Sequence, residues 1–285
     1  DTSIEAQLRN LFGLSAQLKE KFQSSKISDQ QLLLPVQLLL EQVGISFEPE
    51  RDENEVLLEF LLDLFPQGLP KSHAFSELAR NRKPANPLDN PDEALMTWLA
   101  EEEHLFRTYE RYIVRNRLLQ GFGADGGNVD EFVDFSLSVQ NRRKSRVGFA
   151  FENHIGYIFK LHGLKFEKGS SKNTTENKSK PDFLFPSFDA YHDQNFDSEK
   201  LFLLGAKTTC KDRWRQVLAE GDRIRIKHLI TIQPGISKTQ LTEMKNKSIR
   251  LIVPEPVWRT YPNEYHQELL SLKEFIQLLK NNIVE

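Results

Sequence analysis

The sequence predicts an α/β protein with a mixed β-sheet core flanked by helices and a helical N-terminal region. Three observations lead there. In the second half, short apolar runs at 183–185, 201–206, 228–232 and 249–253 alternate with helical stretches at 212–220 and 237–247, and strands alternating with helices imply a mixed sheet. The first part of the chain repeats its apolar residues at helical spacing instead. Between the two, residues 92–119 form an amphipathic stretch with the length of a long helix.

Taken in order, 8–22 and 30–43 carry helical apolar spacing, and 53–64 is acidic and Leu-rich. Phe65-Pro-Gln-Gly-Leu-Pro-Lys71 breaks that pattern, and the polar stretch Asn81 to Glu93 holds three prolines, as a linker or loop does. The expected organisation is a helical region over 1–80, a linker over 81–92 and a second domain over 93–285. Asp92 follows a proline and, with Glu93, favours a helix N-terminus. The Gly-rich turn from Gly121 to Asn128 ends that helix. Residues 130–139 fit a short helix or strand, and 146–161 repeat apolar side chains at Phe149, Phe151, Ile155, Ile158 and Phe159, as a core-facing helix does. A short strand is expected at 164–167, then a basic loop from Gly169 to Lys180, and an amphipathic helix at 270–283 closes the chain. No internal repeat is visible.

Composition excludes several classes. No apolar run is long enough to cross a bilayer, so no membrane role is expected. The chain begins at Asp1 with no secretory pattern, which reads as a fragment or processed chain. Its one cysteine, Cys210, excludes an intramolecular disulfide and a four-thiolate zinc site, and an intracellular setting follows. The seven histidines are scattered without zinc spacing. Net charge is −3 overall, but residues 1–70 carry 5 basic and 12 acidic side chains, leaving the remainder at +4. Two basic clusters stand in that remainder: Arg142, Arg143, Lys144 and Arg146, and then Lys207, Lys211, Arg213, Arg215, Arg223, Arg225 and Lys227. Such local fields neutralise phosphates; the plain alternative is solvated helix faces.

Asp182 directly follows the lysine-rich loop, and Lys207 ends the next apolar run. A carboxylate at one strand and a lysine at the end of the next can hold Mg²⁺ and an attacking water against a phosphodiester. Glu220 on a downstream helix and Glu152 on an upstream one are further carboxylates able to join the same hard cation. The competing reading is ordinary: Pro-Asp is a common turn, and a lysine ending a strand is usually solvated.

Resemblance decides between them. The segments 136–147, 180–194 and 204–221, and above all the run Lys207-Thr-Thr-Cys-Lys-Asp-Arg-Trp-Arg-Gln216, resemble the catalytic domain of the EcoRII-type restriction endonucleases. That group is a branch of the PD-(D/E)xK nuclease superfamily and includes PspGI-like enzymes. The similarity extends over about two-thirds of the chain, from near Asp92 to the C-terminus. It implies a restriction-endonuclease-like sheet core over 93–285 and a prokaryotic, cytoplasmic protein.

The roles that follow are implied by the resemblance. Asp182 is the central metal ligand, with Glu152 and Glu220 holding Mg²⁺ or its waters. The usual second acid, two residues before the lysine, is Gly205 here, a departure that the two helix carboxylates fit. Lys207 stabilises charge developing on the phosphorane and should stay protonated beside carboxylates. Tyr191 and His192 are auxiliary candidates, and a nucleophilic role for Cys210 is disfavoured against buried packing. Lys211, Asp212 and Arg213 supply donor, acceptor and donor groups suited to G·C pairs, although alone they read as a capped helix start. Arg142, Arg143, Lys144, Arg146 and Arg215 are expected on the DNA backbone. The implied substrate is double-stranded DNA at CCWGG or CCNGG, cut ahead of the first cytosine to leave 5′ overhangs. The central pair is flipped out of the stack, with Arg107, Phe106 and Tyr109 as candidate neighbours of the flipped base. A twofold target calls for a homodimer. The rivals are a DNA-binding module or scaffold with an inactive nuclease fold, and a non-specific repair nuclease.

Overall fold

The computed structural model describes residues 33–42, 51–123, 126–210 and 214–283. The chain divides into two compact units. The first comprises Asp1–Phe47, Asn86–Met96 and Ile155–Glu285, and the second Glu48–Ala85 and Thr97–His154. The linker segment read at 81–92 contributes to both, with one boundary at 85/86 inside the proline-rich stretch.

Nine α-helices occur among the described residues: α1 (Leu34–Gln42), α2 (Arg51–Leu64), α3 (Ser72–Arg82), α4 (Pro91–Gln120), α5 (Val129–Leu161), α6 (Phe188–His192), α7 (Trp214–Leu218), α8 (Lys238–Asn246) and α9 (Leu272–Ile283). Four strands, β1 (Phe183–Phe185), β2 (Phe202–Ala206), β3 (Lys227–Ile230) and β4 (Ile249–Ile252), form one sheet in the order β1-β2-β3-β4. β1 runs antiparallel to β2, while β2, β3 and β4 are parallel. The mixed sheet expected from the sequence is therefore present.

In the first unit every residue of β1, β2 and β3 is buried, which explains why β1 and β2 read as unbroken apolar runs rather than alternating ones. Phe159, Phe166, Phe183, Phe185 and Phe275 pack edge-on or tilted, with Phe159 5.4 Å from Phe183 and 5.3 Å from Phe185 between ring centroids. Asp92, expected to start α4, caps α9 with its side chain instead. Its Oδ1 accepts from the N–H of Leu272 at 2.8 Å and its Oδ2 from that of Lys273 at 2.9 Å. Burial pushes its carboxyl up, against the pull of these backbone bonds. The backbone of α4 begins one position earlier, at Pro91, where a missing N–H costs nothing.

The second unit is helical. Leu57, Leu61, Phe75, Ala79, Leu105 and Tyr109 make its core, and the Tyr109 hydroxyl donates to the Phe65 carbonyl at 2.7 Å.

Several expectations are corrected. The two separate elements read at 130–139 and 146–161 are one helix, α5, of 33 residues. The polar residues 140–146 between the two apolar patterns contain no Gly or Pro, so nothing interrupts the turn-to-turn hydrogen bonds. The strand read at 164–167 reduces to a single bridge, Glu167 to Leu184. Helix α3 occupies a stretch that carried only loop signals at each end. The helix read at 8–22 lies outside the described residues.

Candidate active site

The register of β1 on β2 pairs Phe183 with Leu204, which sets Asp182 opposite Gly205. From there the Asp182 Oδ2 accepts two hydrogen bonds, from the Ala206 N–H at 2.7 Å and from Lys207 Nζ at 2.7 Å. Lys207 is itself held by its backbone N–H, which donates to the Ile230 carbonyl at 3.0 Å and prolongs the β2–β3 ladder by one residue. The pair is largely but not fully shielded, with side-chain exposures of 20% for Lys207 and 17% for Asp182.

Glu220 joins them from beyond the end of α7. Its carboxyl is pushed up to about 7 by burial and by the negative charge of Asp182, with Lys207 and Lys227 pulling the other way. Glu220 therefore lies near enough to Asp182 to feel its charge, and a hard divalent cation between two such carboxylates would offset both the burial and the repulsion.

Glu220, expected on a helix, stands instead two residues past the end of α7, and two glycines shape its surroundings. A side chain at Gly205 would meet a Val217 methyl of α7 at 2.6 Å, so the position that carries an acid in the superfamily pattern is occupied by helix packing. Gly221 stands in the left-handed region at φ +64°, and a Cβ there would meet Leu203 Cδ1 at 2.9 Å. It ends α7 and turns the chain immediately after Glu220.

Both sides of Glu220 are tied down. Lys227 Nζ donates to the Leu218 carbonyl at 2.7 Å, closing the end of α7. Downstream, the Asp222 N–H donates to Glu176 Oε2 at 3.1 Å, and the Tyr191 hydroxyl donates to the same carboxylate at 2.5 and 2.6 Å. Arg223 then binds the carbonyls of Tyr191, of Asp193 at 2.8 Å and of Phe196 at 2.9 Å. Tyr191 is buried, and burial together with Glu176 raises its phenol far above the ordinary range. Its contacts run to Glu176 and to the turn Gly221–Arg223. His192 is exposed, with Nε2 3.1 Å from the Thr174 carbonyl. Sequence reasoning missed Lys227 and Glu176 as supports of Glu220, because contacts made across many residues leave no local pattern.

The other expected site residues are placed as follows. Glu152 lies on α5 in the second unit, whereas Asp182, Lys207 and Glu220 belong to the first. Lys211, Asp212 and Arg213 lie outside the described residues. Arg215 pairs with Glu243 at 2.8 Å and lies over the Trp214 ring. Arg143 is paired with the buried Glu110 at 2.6 Å, Arg146 binds the Pro70 carbonyl, and Lys144 is exposed. Phe106 and Tyr109 are buried core residues and Arg107 pairs with Glu103 at 2.5 Å, an arrangement that leaves neither ring open for stacking. Cys210 is fully buried, and burial pushes its thiol up to about 12, which fits packing rather than nucleophilic use.

The chemistry of the donors fits a magnesium-type ion. Asp182 and Glu220 offer hard oxygens, and the hydrogen bonds to Asp182 both fall on Oδ2, leaving Oδ1 with capacity for a cation. Among the described residues no group of three or more His, Cys, Asp and Glu side chains is arranged to hold a metal. The first-unit site therefore offers a two-carboxylate set with a lysine.

The sheet of one antiparallel and three parallel strands carries Asp182 just before β1 and Lys207 just after β2, with Glu220 past the end of α7. The fold is shared with Ecl18kI, metal-depleted and in complex with uncleaved, modified DNA, at a TM-score of 0.61 and 16% identity over 82% of this chain and 86% of that one. A PspGI restriction endonuclease–substrate DNA complex matches at a TM-score of 0.61 and 16% identity over 76% and 94%. Residues 106–276 match the family described as EcoRII C terminal, and the chain belongs to that family. It is 42% identical over 207 residues to the type II restriction enzyme EcoRII of Escherichia coli, spanning 73% of this chain and 50% of that enzyme. The chain thus spans about half the length of this relative.

Proposed function

We propose that this protein is a type II restriction endonuclease that hydrolyses phosphodiester bonds of double-stranded DNA at CCWGG or CCNGG sites, leaving 5′ overhangs, with Mg²⁺ as cofactor. The observation that carries the reading is the convergence of Asp182, Lys207 and Glu220 at the ends of β1, β2 and α7. Membership of the EcoRII C terminal family and likeness to endonucleases captured on DNA support it.

In this reading Asp182 and Glu220 would hold the metal, which would supply positive charge to the scissile phosphate and lower the pKa of an attacking water. Lys207, fixed by Asp182, directs its ammonium at the site and offsets the negative charge that builds on the phosphorane oxygens. Lys227, Tyr191 and Glu176 keep Glu220 in place without touching the substrate. Glu152 enters as an additional carboxylate on the resemblance alone, as do Lys211, Asp212 and Arg213 as readers of the G·C pairs. The site is a pseudopalindrome, so a homodimer with one active site per strand is expected, together with extrusion of the central base pair and action in the prokaryotic cytoplasm.

The test is digestion of a plasmid of known sequence by the purified chain with Mg²⁺, followed by mapping of fragment ends. Ends at CCWGG or CCNGG with 5′ overhangs are expected and settle the central-base rule. Random ends would replace the reading with a non-specific nuclease. Duplex binding that ignores divalent ions, with no cleavage, would replace it with a binding module.

A further inference from the structure

The second unit contains a groove of about 730 Å³ whose lining includes Lys71, His73, Arg142, Arg146, Phe149 and Asn153. No carboxylate lines it. One wall is the turn leading into α3. Lys71 sits at the N-cap of that helix without a side-chain cap, and no acidic residue stands in its first turn, so the positive end of α3 adds to the field of the two side chains beside it. The opposite wall is one face of α5, where Arg142, Arg146, Phe149 and Asn153 follow each other at spacings of four, three and four residues.

The two arginines differ in what binds them. Arg146 is anchored: it donates to the Pro70 carbonyl and lies 5.0 Å from the Phe75 ring centroid and 5.5 Å from that of Phe106. Its other terminal nitrogen, Nη1, is buried and has no hydrogen-bond partner. A buried guanidinium nitrogen without an acceptor is a charge-assisted donor awaiting one. Arg143, next to Arg142 in sequence, is committed elsewhere by its pairing with Glu110.

We propose that this groove grips the sugar-phosphate backbone of DNA, with Lys71 and Arg142 as the contacting cations and Arg146 as a fixed charge beneath them. The proposal rests on the DNA-cleaving reading above and joins Lys71, outside the family match, to Arg142 and Arg146 in one built groove. The Leu69–His73 wall lies upstream of residue 106, where that match begins. DNA backbone is the occupant favoured by charge: cations and neutral donors with no acid suit a polyanion, and an acidic protein surface is the competing occupant.

The experiment is fluorescence anisotropy of two labelled duplexes, one with a CCWGG site and one without, over a salt series in Ca²⁺, with the full chain and the variants Lys71→Ala and Arg142→Ala. Phosphate contacts position without reading sequence. Each variant is therefore expected to weaken both duplexes by the same factor, roughly three- to tenfold, and to lower the slope of log K against log salt by about one. Arg142→Lys should recover most of the loss, and thermal unfolding should match the parent chain. Unchanged slopes in both variants overturn the groove while leaving the endonuclease reading standing if the parent chain still cuts at its site. A loss confined to the CCWGG duplex also overturns it, since the groove would then read bases. Failure of the parent chain to bind either duplex at low salt removes both readings together.

Discussion

The two units use the same charged residue types in opposite ways. In the helical unit each buried acid has its own partner: Glu101 with Arg82 at 2.8 Å, Glu110 with Arg143 at 2.6 Å, and Glu102 with His154, whose Nε2 lies 3.0 Å away. His154 is bridged on its other side by Arg80 at 3.2 Å to Nδ1, and burial holds its imidazole below the ordinary range against the pull of Glu102. In the sheet unit, Lys207 pairs with Asp182, and the nearby Glu220 is pushed up chiefly by burial and then by the charge of Asp182. Opposite charges balanced one to one, as in Arg82–Glu101 and Arg143–Glu110, hold helices together, whereas an unbalanced set, with a second acid beside one ion pair, keeps capacity for a ligand.

The largest expected effect breaks the unbalanced set. Asp182→Ala and Lys207→Ala should each reduce the cleavage rate by on the order of 10²–10³-fold or more, while duplex binding, read by anisotropy, stays within a few-fold. Retained cleavage in either variant would remove the proposed site. The balanced set should respond in stability instead. Arg143→Met leaves the Glu110 carboxylate buried without its cation, and urea unfolding should show a loss of about 2–4 kcal/mol. Lys207→Met leaves behind Asp182, which keeps 17% exposure where Glu110 has none, and should cost less, about 1 kcal/mol, by the same measurement. If the two losses are equal, the distinction between the regions fails.

How much of this was legible in the sequence varies with the range of the contact. β1 and β2 were readable because strands buried on both faces are short apolar runs, and Lys207 was readable because it ends one of them. Glu220 was readable only as a further carboxylate downstream of Lys207, and nothing local marked it out, because it lies past the end of a five-residue helix. Gly205 looked like a defect in the pattern until Val217 was seen lying against it. Asp92 capping α9 across 180 residues, and Lys227 closing α7 across nine, are invisible to periodicity. α5 was split because its hydrophobic pattern pauses over 140–146, where the backbone continues without a breaker.

A smaller effect tests the sheet core with pH. His228 is buried between Phe202 and Phe275, with ring centroids 5.9 and 4.9 Å away and neither nitrogen hydrogen-bonded. Burial, with Arg250 nearby, pushes its imidazole down to about 3. The unfolded chain takes up a proton near 6.5 and the folded one does not, so stability is full above that value and falls as pH drops toward 3. At pH 5 the loss from this one group is about 2 kcal/mol. His228→Phe should flatten that part of the stability–pH curve and leave stability at pH 7 within about 1 kcal/mol. An unchanged acid slope would mean that His228 is protonated in the fold.

The smallest effect distinguishes a positioning residue from a catalytic one within the unbalanced site. Tyr191→Phe removes the hydroxyl that binds Glu176, leaving the ring in place and Glu176 still accepting from the Asp222 N–H. The turn after Glu220 loosens, so kcat should fall by roughly three- to tenfold with KM unchanged, alongside a stability loss of about 1 kcal/mol. A direct part in proton transfer predicts a loss of about 10²-fold or more, and a shifted pH profile. Lys227→Met acts on the other flank of Glu220 and should reproduce the kcat loss. The double variant should then lose less than the product of the two, because both supports act on one carboxylate. Independent, multiplying losses would show that the two groups serve different ends and that Glu220 is not what they hold.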